Sequence, residues 1–177
     1  MGVSLLTNLA QAPGHRMALS GLSGQVQLST PTVIHLVEAF KNLFLLWTHG
    51  KRIFFSDVGL ASYLGADRIE NSLFHMERFV YQELYAQLSY LYRAQFSFDT
   101  YSSRGGVQIP FVVRVKDKPT LAIVIDPTDG ASEKSLKGIT WFSKLQKQPV
   151  IGVVLHNGTS AYVASTGAYC IPYTWIC

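Results

Sequence analysis

The sequence predicts an α/β (α+β) chain in two parts, a small helical part carrying one hairpin and a larger mixed sheet flanked by helices. Three observations lead there. Apolar residues recur at i, i+3, i+4 spacing in short segments near the start and in one long segment in the middle. Two strand-like runs, Gly105–Arg114 (GGVQIPFVVR) and Pro119–Asp126 (PTLAIVID), are joined by the polar turn Val115–Lys118 (VKDK). A later run, Val150–Leu155, is apolar throughout, the pattern of a strand buried on both faces. At 177 residues the chain is long enough for a substantial core, with 48% hydrophobic and 15% charged residues. An ordinary charged share is about 25%, so disorder is excluded, and the shortfall suggests a face hidden against a partner protein.

The first part reads in order as follows. Val3–Ala12 places Val3, Leu6, Leu9 and Ala10 on one helical face and stops at Pro13-Gly14. Met17–Gly24 is a weaker helix with Leu19 and Leu22 inward. In the third helix Thr30 is the expected cap and Pro31 suits the first helical position, with Val33, Leu36, Val37, Phe40 and Phe44 at helical spacing. Phe44–Thr48 and Arg52–Ser56 read as strands joined through His49-Gly50-Lys51, the spacing of a hairpin. Three helices and a hairpin make a winged helix-turn-helix over residues 1–66, with Thr30–Leu43 in the recognition position. Asp57–Leu64 is a short helix ended by Gly65, and Ala66–Asn71 is a polar link.

The second part, residues 67–177, opens with the long amphipathic helix Leu73–Leu91. It carries Glu77 and Glu83, with Phe74, Phe79, Val80, Leu84, Leu88 and Leu91 available for a core stripe. A strand around Tyr92–Ser102 comes next, and Tyr92, Phe96, Phe98 and Tyr101 are expected to pack one face of the sheet. Stacking on nucleic-acid bases is the sharper alternative for those rings. After the hairpin, Ser132–Gln148 is a helix with Leu136, Ile139, Trp141, Phe142 and Leu145 partly inward. Short β pieces near Ala161–Ala164 and Tyr169–Tyr173 follow the buried run. The order helix–strand–strand–strand–helix–strand fits one mixed sheet flanked by helices.

Certain runs carry a resemblance. Lys51–Gly65 (KRIFFSDVGLASYLG) resembles a Lys-Tyr-Phe-Asp-x-Gly-Leu-Ala signature, and Phe74–Leu84 (FHMERFVYQEL) resembles a motif with an early helix glutamate and a Glu-Leu ending. Gly106–Phe111 (GVQIPF) and Ile123–Asp126 (IVID) stand where Gly-x-Glu-Val-Asp-Phe and Ile-Glu-Val-Lys strands are usual. Together they resemble the C-terminal domain of unknown function of prokaryotic AAA-type ATPases, over nearly the whole chain. The resemblance implies a winged helix followed by a PD-(D/E)xK, restriction-endonuclease-like domain. In active members of that superfamily carboxylates clamp Mg²⁺ and a lysine stabilises charge developing on the phosphate. Carried over by position, Glu77 matches the helix glutamate. Gln108 replaces a glutamate, Pro110 the metal-binding aspartate, Val124 the second acid and Asp126 the lysine. The resemblance therefore implies a degenerate nuclease domain. The phosphate loop of the ATPase module is missing too: Gly50-Lys51 has Leu45 in place of the first glycine and Arg52 after it.

The function expected from these residues is a non-catalytic binding or assembly module with no cofactor and no metal. Its expected partner is a protein, an ATPase being the first candidate, with any nucleic-acid contact weak and dominated by phosphates. The candidate contact residues are Thr30, Thr32, His35 and Lys41 on the recognition helix and Lys51 and Arg52 in the wing. Base reading relies on Arg, Lys, Asn or Gln in the first turns, which that helix lacks, whereas wing cations suit phosphates. Sequence-specific DNA binding is one alternative. Another is a residual metal-dependent nuclease with a migrated site of Glu77, Asp126 and Asp129, although the aspartates flanking Pro127 equally suit a turn. The five histidines lack zinc-ligand spacing. Cys170 and Cys177 read as ordinary thiols. The net charge of +4 permits nucleic-acid contact without requiring it. No apolar run reaches the roughly 18 residues of a membrane span, and Met1–Leu9 lacks the basic residue of a signal peptide. A soluble, cytoplasmic protein is the expectation.

Overall fold

The computed structural model describes residues 2–11, 19–49, 52–65, 72–93 and 95–176. The chain divides into two units, Met1–Arg78 and Phe79–Cys177. The division falls inside the long helix; the Ala66–Asn71 link, the Pro13-Gly14 stop and the Gly50-Lys51 connection lie outside the described residues.

In the first unit α1 (Gly2–Gln11), α2 (Leu19–Val26) and α3 (Thr30–Asn42) precede a two-stranded sheet and α4 (Val58–Gly65). Ser29 caps α3, rather than Thr30. Its backbone is extended and its hydroxyl accepts from the Thr32 N–H, while Pro31 occupies the first turn. Thr30 is already helical, and its hydroxyl is bonded to that of Ser23 on α2 at 3.2 Å. At the other end, the Phe44 N–H bonds the Lys41 carbonyl and the Leu45 N–H bonds that of Phe40, both at 2.9 Å. That closure needs a left-handed residue, ordinarily glycine, and Phe44 fills it at φ 57°. The chain therefore turns at Phe44, and β1 (Leu46–His49) starts later than the sequence suggests. It pairs antiparallel with β2 (Arg52–Phe55), Leu46 opposite Phe55. Leu46 and Phe55 join Leu5, Leu9, Leu22, Val33 and Val37 in the core. Gly65 closes α4 against α1, where a Cβ would lie 3.2 Å from the Ala10 carbonyl oxygen.

The helix α5 (Ser72–Tyr92) runs from the first unit into the second. Val80, Tyr81 and Leu88 are buried; Leu91, expected in the core stripe, is 64% exposed. The sheet that follows comprises β3 (Phe96–Ser102), β4 (Gln108–Val115), β5 (Thr120–Asp126), β6 (Val150–His156), β7 (Tyr162–Val163) and β8 (Tyr169–Pro172). Its spatial order is β3-β4-β5-β6-β8-β7. The pairs β3/β4, β4/β5 and β7/β8 are antiparallel, and β5/β6 and β6/β8 are parallel. The crossover from β5 to β6 is α6 (Glu133–Leu145), and a 3-10 turn, Tyr173–Ile176, follows β8. Among the described residues the protein is thus a mixed α+β chain with six α-helices, a six-stranded mixed sheet and a two-stranded sheet.

Each face of the large sheet is apolar for its own reason. Ile109, Val112, Ala122, Val124, Val154 and Cys170 pack with Ile139 and Phe142 of α6. On the other face, Phe98 and Phe111 meet Tyr81 of α5 with centroids 5.1 and 6.5 Å away, and Phe96 meets Tyr85 at 5.7 Å. A bulge joins the two patterns. Asp99 is paired with Val112 but Tyr101 with Ile109, so β4 spends one residue more than β3. Pro110 lies in that extra step, where a missing N–H costs no ladder bond. The extra residue turns Ile109 and Val112, three apart, toward the same helix. Tyr101 follows them, its ring 5.0 Å from Phe142 and 5.9 Å from Trp141. The expected single aromatic face is therefore split: Phe96 and Phe98 face α5, Tyr101 faces α6, and Tyr92 belongs to the helix. Trp141 and Leu145, expected partly inward, are exposed. The helix sits close on the sheet, since a Cβ at Gly152 of β6 would overlap Ile139 Cγ2.

Candidate functional site

Polar side chains are concentrated where β5 and β6 end and α6 begins. Every residue of β5 except Leu121 is buried, and the strand terminates in Asp126, whose surface is 3% exposed. The loop 127–131 then delivers Ser132, which caps α6 from extended backbone and accepts from the Ser135 N–H. Asp126 accepts from four donors: the Thr128 N–H at 3.2 Å, the Thr128 hydroxyl at 2.6 Å, the Ser132 N–H at 2.8 Å and the Ser135 hydroxyl at 2.7 Å. Burial alone would push this carboxyl up, but the bonds from Ser132, Thr128 and Ser135 outweigh it and hold the group well below the usual carboxylate range. The helix N-terminus adds to the same preference for negative charge.

His156 is the register partner of Asp126 on the adjacent parallel strand. It is fully buried, and its Nδ1 accepts from the Gly158 N–H at 3.0 Å. A neutral ring so engaged carries its proton on Nε2, which is buried and has no partner among the described residues. Tyr162 lies beside it, centroids 5.7 Å apart, and accepts from the Ala131 N–H at 2.8 Å. The Asn157 N–H bonds the Thr128 carbonyl at 2.9 Å, lacing the β5–α6 loop to the end of β6. The approach there is close enough that a Cβ at Gly158 would overlap the Asp129 carbonyl oxygen. Cys170, opposite Tyr162, is buried, and burial pushes its thiol up.

Chemically this arrangement is a closed knot. A carboxylate offers about four acceptor positions, and four donors take them. Pro110 and Val124 flank the Phe111–Ile123 pair and are both buried, Val124 within the core under α6. Gln108 is exposed at the start of β4, Asp129 is exposed in the β5–α6 loop and Glu77 is half-buried on α5. Among the described residues no group of three His, Cys, Asp or Glu side chains is arranged to hold a metal ion. None of their helices is long and apolar enough to cross a membrane.

The candidates of the first unit are dispersed in role. Thr30 is half-buried against Ser23, Thr32 is exposed with its hydroxyl 2.8 Å from that of Ser29, and His35 is exposed. Lys41 is bonded to both Glu38 oxygens, at 2.8 and 3.1 Å. Arg52 opens β2 opposite His49, and Lys51 lies outside the described residues. Thr128, Ser132, Ser135, His156 and Tyr162 were not legible as a cluster. The one signal was the Ser-x-x-Ser start of a helix six residues after a strand-ending aspartate.

The fold class these features define is a mixed α+β chain whose polar knot ties a strand end to a helix start. No known family, no curated protein and no solved structure matches the chain.

Proposed function

We propose that this chain is a non-catalytic binding or assembly module: a winged helix joined to a degenerate restriction-endonuclease-like domain, related to the C-terminal region of prokaryotic AAA-type ATPases. The observation that carries the reading is Asp126. It stands where the resemblance expects a lysine aimed at a phosphate, yet it is buried and its acceptor capacity is spent on α6 and Thr128. A side chain so occupied holds the fold together and has nothing left for a cation. The order of three helices and a hairpin in the first unit agrees with a winged helix, and helix, hairpin and parallel crossover in the second agree with a nuclease-like core.

The preferred partner is a protein. On α3 the charge of Lys41 is compensated by Glu38, and the residues that follow, Leu43 and Phe44, are exposed apolar side chains. Phosphates gain little from such a surface, whereas apolar contact suits a protein. An ATPase of the family resembled is the partner to test first. The test of the catalytic half incubates the purified chain with supercoiled plasmid and single-stranded DNA in Mg²⁺ or Mn²⁺. No cleavage is expected; metal-dependent nicking abolished by Glu77→Ala would overturn the reading in favour of a migrated nuclease site.

A further inference from the structure

We propose that the outward face of α6, together with the β3–β4 turn beside it, binds single-stranded nucleic acid. Lys134, Lys137, Trp141 and Lys144 recur at i, i+3, i+7 and i+10 and so form one stripe, and Lys147 follows just beyond the helix. At 1.5 Å per residue the stripe from Lys134 to Lys144 is about 15 Å long. All of these side chains are exposed. The one acid on the helix, Glu133, is paired with Lys137 at 2.6 Å; both are well exposed, so the pair is weak and Lys137 is easily released. The apolar side of α6 is already used, with Ile139 and Phe142 buried against the sheet.

The β3–β4 turn extends the positive surface. Gly138 lies one helical turn from both Lys134 and Trp141, and a Cβ there would be 3.7 Å from Val107 Cγ1. Val107 is fixed in turn: the Ser103 N–H bonds its carbonyl at 2.9 Å and its N–H bonds the Ser103 hydroxyl at 3.1 Å. Arg104 is exposed within this same turn, three residues before Val107.

Trp141 decides the class of polyanion. It is 40% exposed in the middle of the lysines, and Tyr101 backs it at 5.9 Å, so the indole is a supported platform. Bases of a single strand can stack on such a ring while lysines take the phosphates, the combination that binds single strands without reading sequence. Bases within a duplex are already stacked and do not offer their faces. An anionic membrane would require an apolar helix face to bury, and that of α6 is turned to the sheet. This inference needs neither the winged helix nor the family resemblance.

The test is fluorescence anisotropy of labelled single-stranded DNA and RNA, in EDTA, titrated with the full chain over a series of salt concentrations. Binding at low salt is expected, stronger than to a duplex of the same sequence. Lys134→Glu combined with Lys144→Glu should lower the salt slope by about 1.4, at about 0.7 for each phosphate of a single strand that is no longer neutralised. Trp141→Ala should weaken binding about tenfold, the cost of one stacked base, with an unchanged circular dichroism spectrum. Absence of binding at low salt, preference for duplex, or affinity unaltered in these variants would each overturn the proposal. So would binding to phosphatidylserine vesicles without binding to the oligonucleotides.

Discussion

Asp126 concentrates the chemistry of the second unit in one side chain. Its hydrogen bonds lower the folded-state pKa, so it contributes stability that is complete above the unfolded value of about 4 and is lost as pH falls through the lower folded value. Acid destabilisation should therefore set in below about pH 4, and Asp126→Asn should flatten that limb. At neutral pH the same substitution should cost about 2–3 kcal/mol, because it sets an amide against N–H and O–H donors chosen for a carboxylate. Urea midpoints of both proteins, followed from neutral into the acid range, check both expectations. The sequence places Asp126 at a strand end correctly. Its partners Thr128, Ser132 and Ser135 converge only through the backbone of the intervening loop, which no periodicity describes.

At the scale of elements, α6 on β6 is a close approach that a single methyl tests. Gly152→Ala would place its Cβ against Ile139, and overpacking of that kind costs about 1–3 kcal/mol. A lowered thermal midpoint with an unchanged fold is expected, and Ile139→Ala, which removes the overlapping Cγ2, should make the double variant less destabilised than the sum of the two single ones. Helix and strand positions were largely legible here because their apolar periods are clean. What escaped were the places where one residue changes the count. Ser29 displaces Thr30 as the cap because a cap must precede the first helical residue. Phe44 takes a left-handed turn that its side chain argues against. The bulge at Pro110 shifts Ile109 and Tyr101 toward α6, and a proline inside an apolar run signals a break in a strand without saying which face its neighbours will take.

For the whole molecule, the sheet order predicts where stability resides. β5 lies between β4 and β6, and its residues are mostly buried; β7 is a two-residue edge strand with both residues exposed. Amide exchange should be slowest in β5 and β6 and fast at Tyr162–Val163, measured by mass spectrometry on the native chain. Protection of β7 equal to that of β5 would contradict this ranking. The mixed α+β character was legible because one apolar run, Val150–Leu155, is of the kind found in a buried strand, although Ile151 within it is exposed; the pairing of β8 beyond it was not, since Tyr169–Pro172 carries no alternation to fix a neighbour. The knot at Asp126 also bears on descent. If the proposed ancestry holds, returning a lysine to that position would bury a cation among the N–H groups at the start of α6 and leave the Ser132 and Thr128 donors facing it. Replacing Val124 and Pro110 as well would unsettle the core and the bulge. On that proposed reading the way back to a cutting enzyme would be blocked by the contacts these side chains now make, and reverting these residues one at a time should yield unstable chains before it yields an active one.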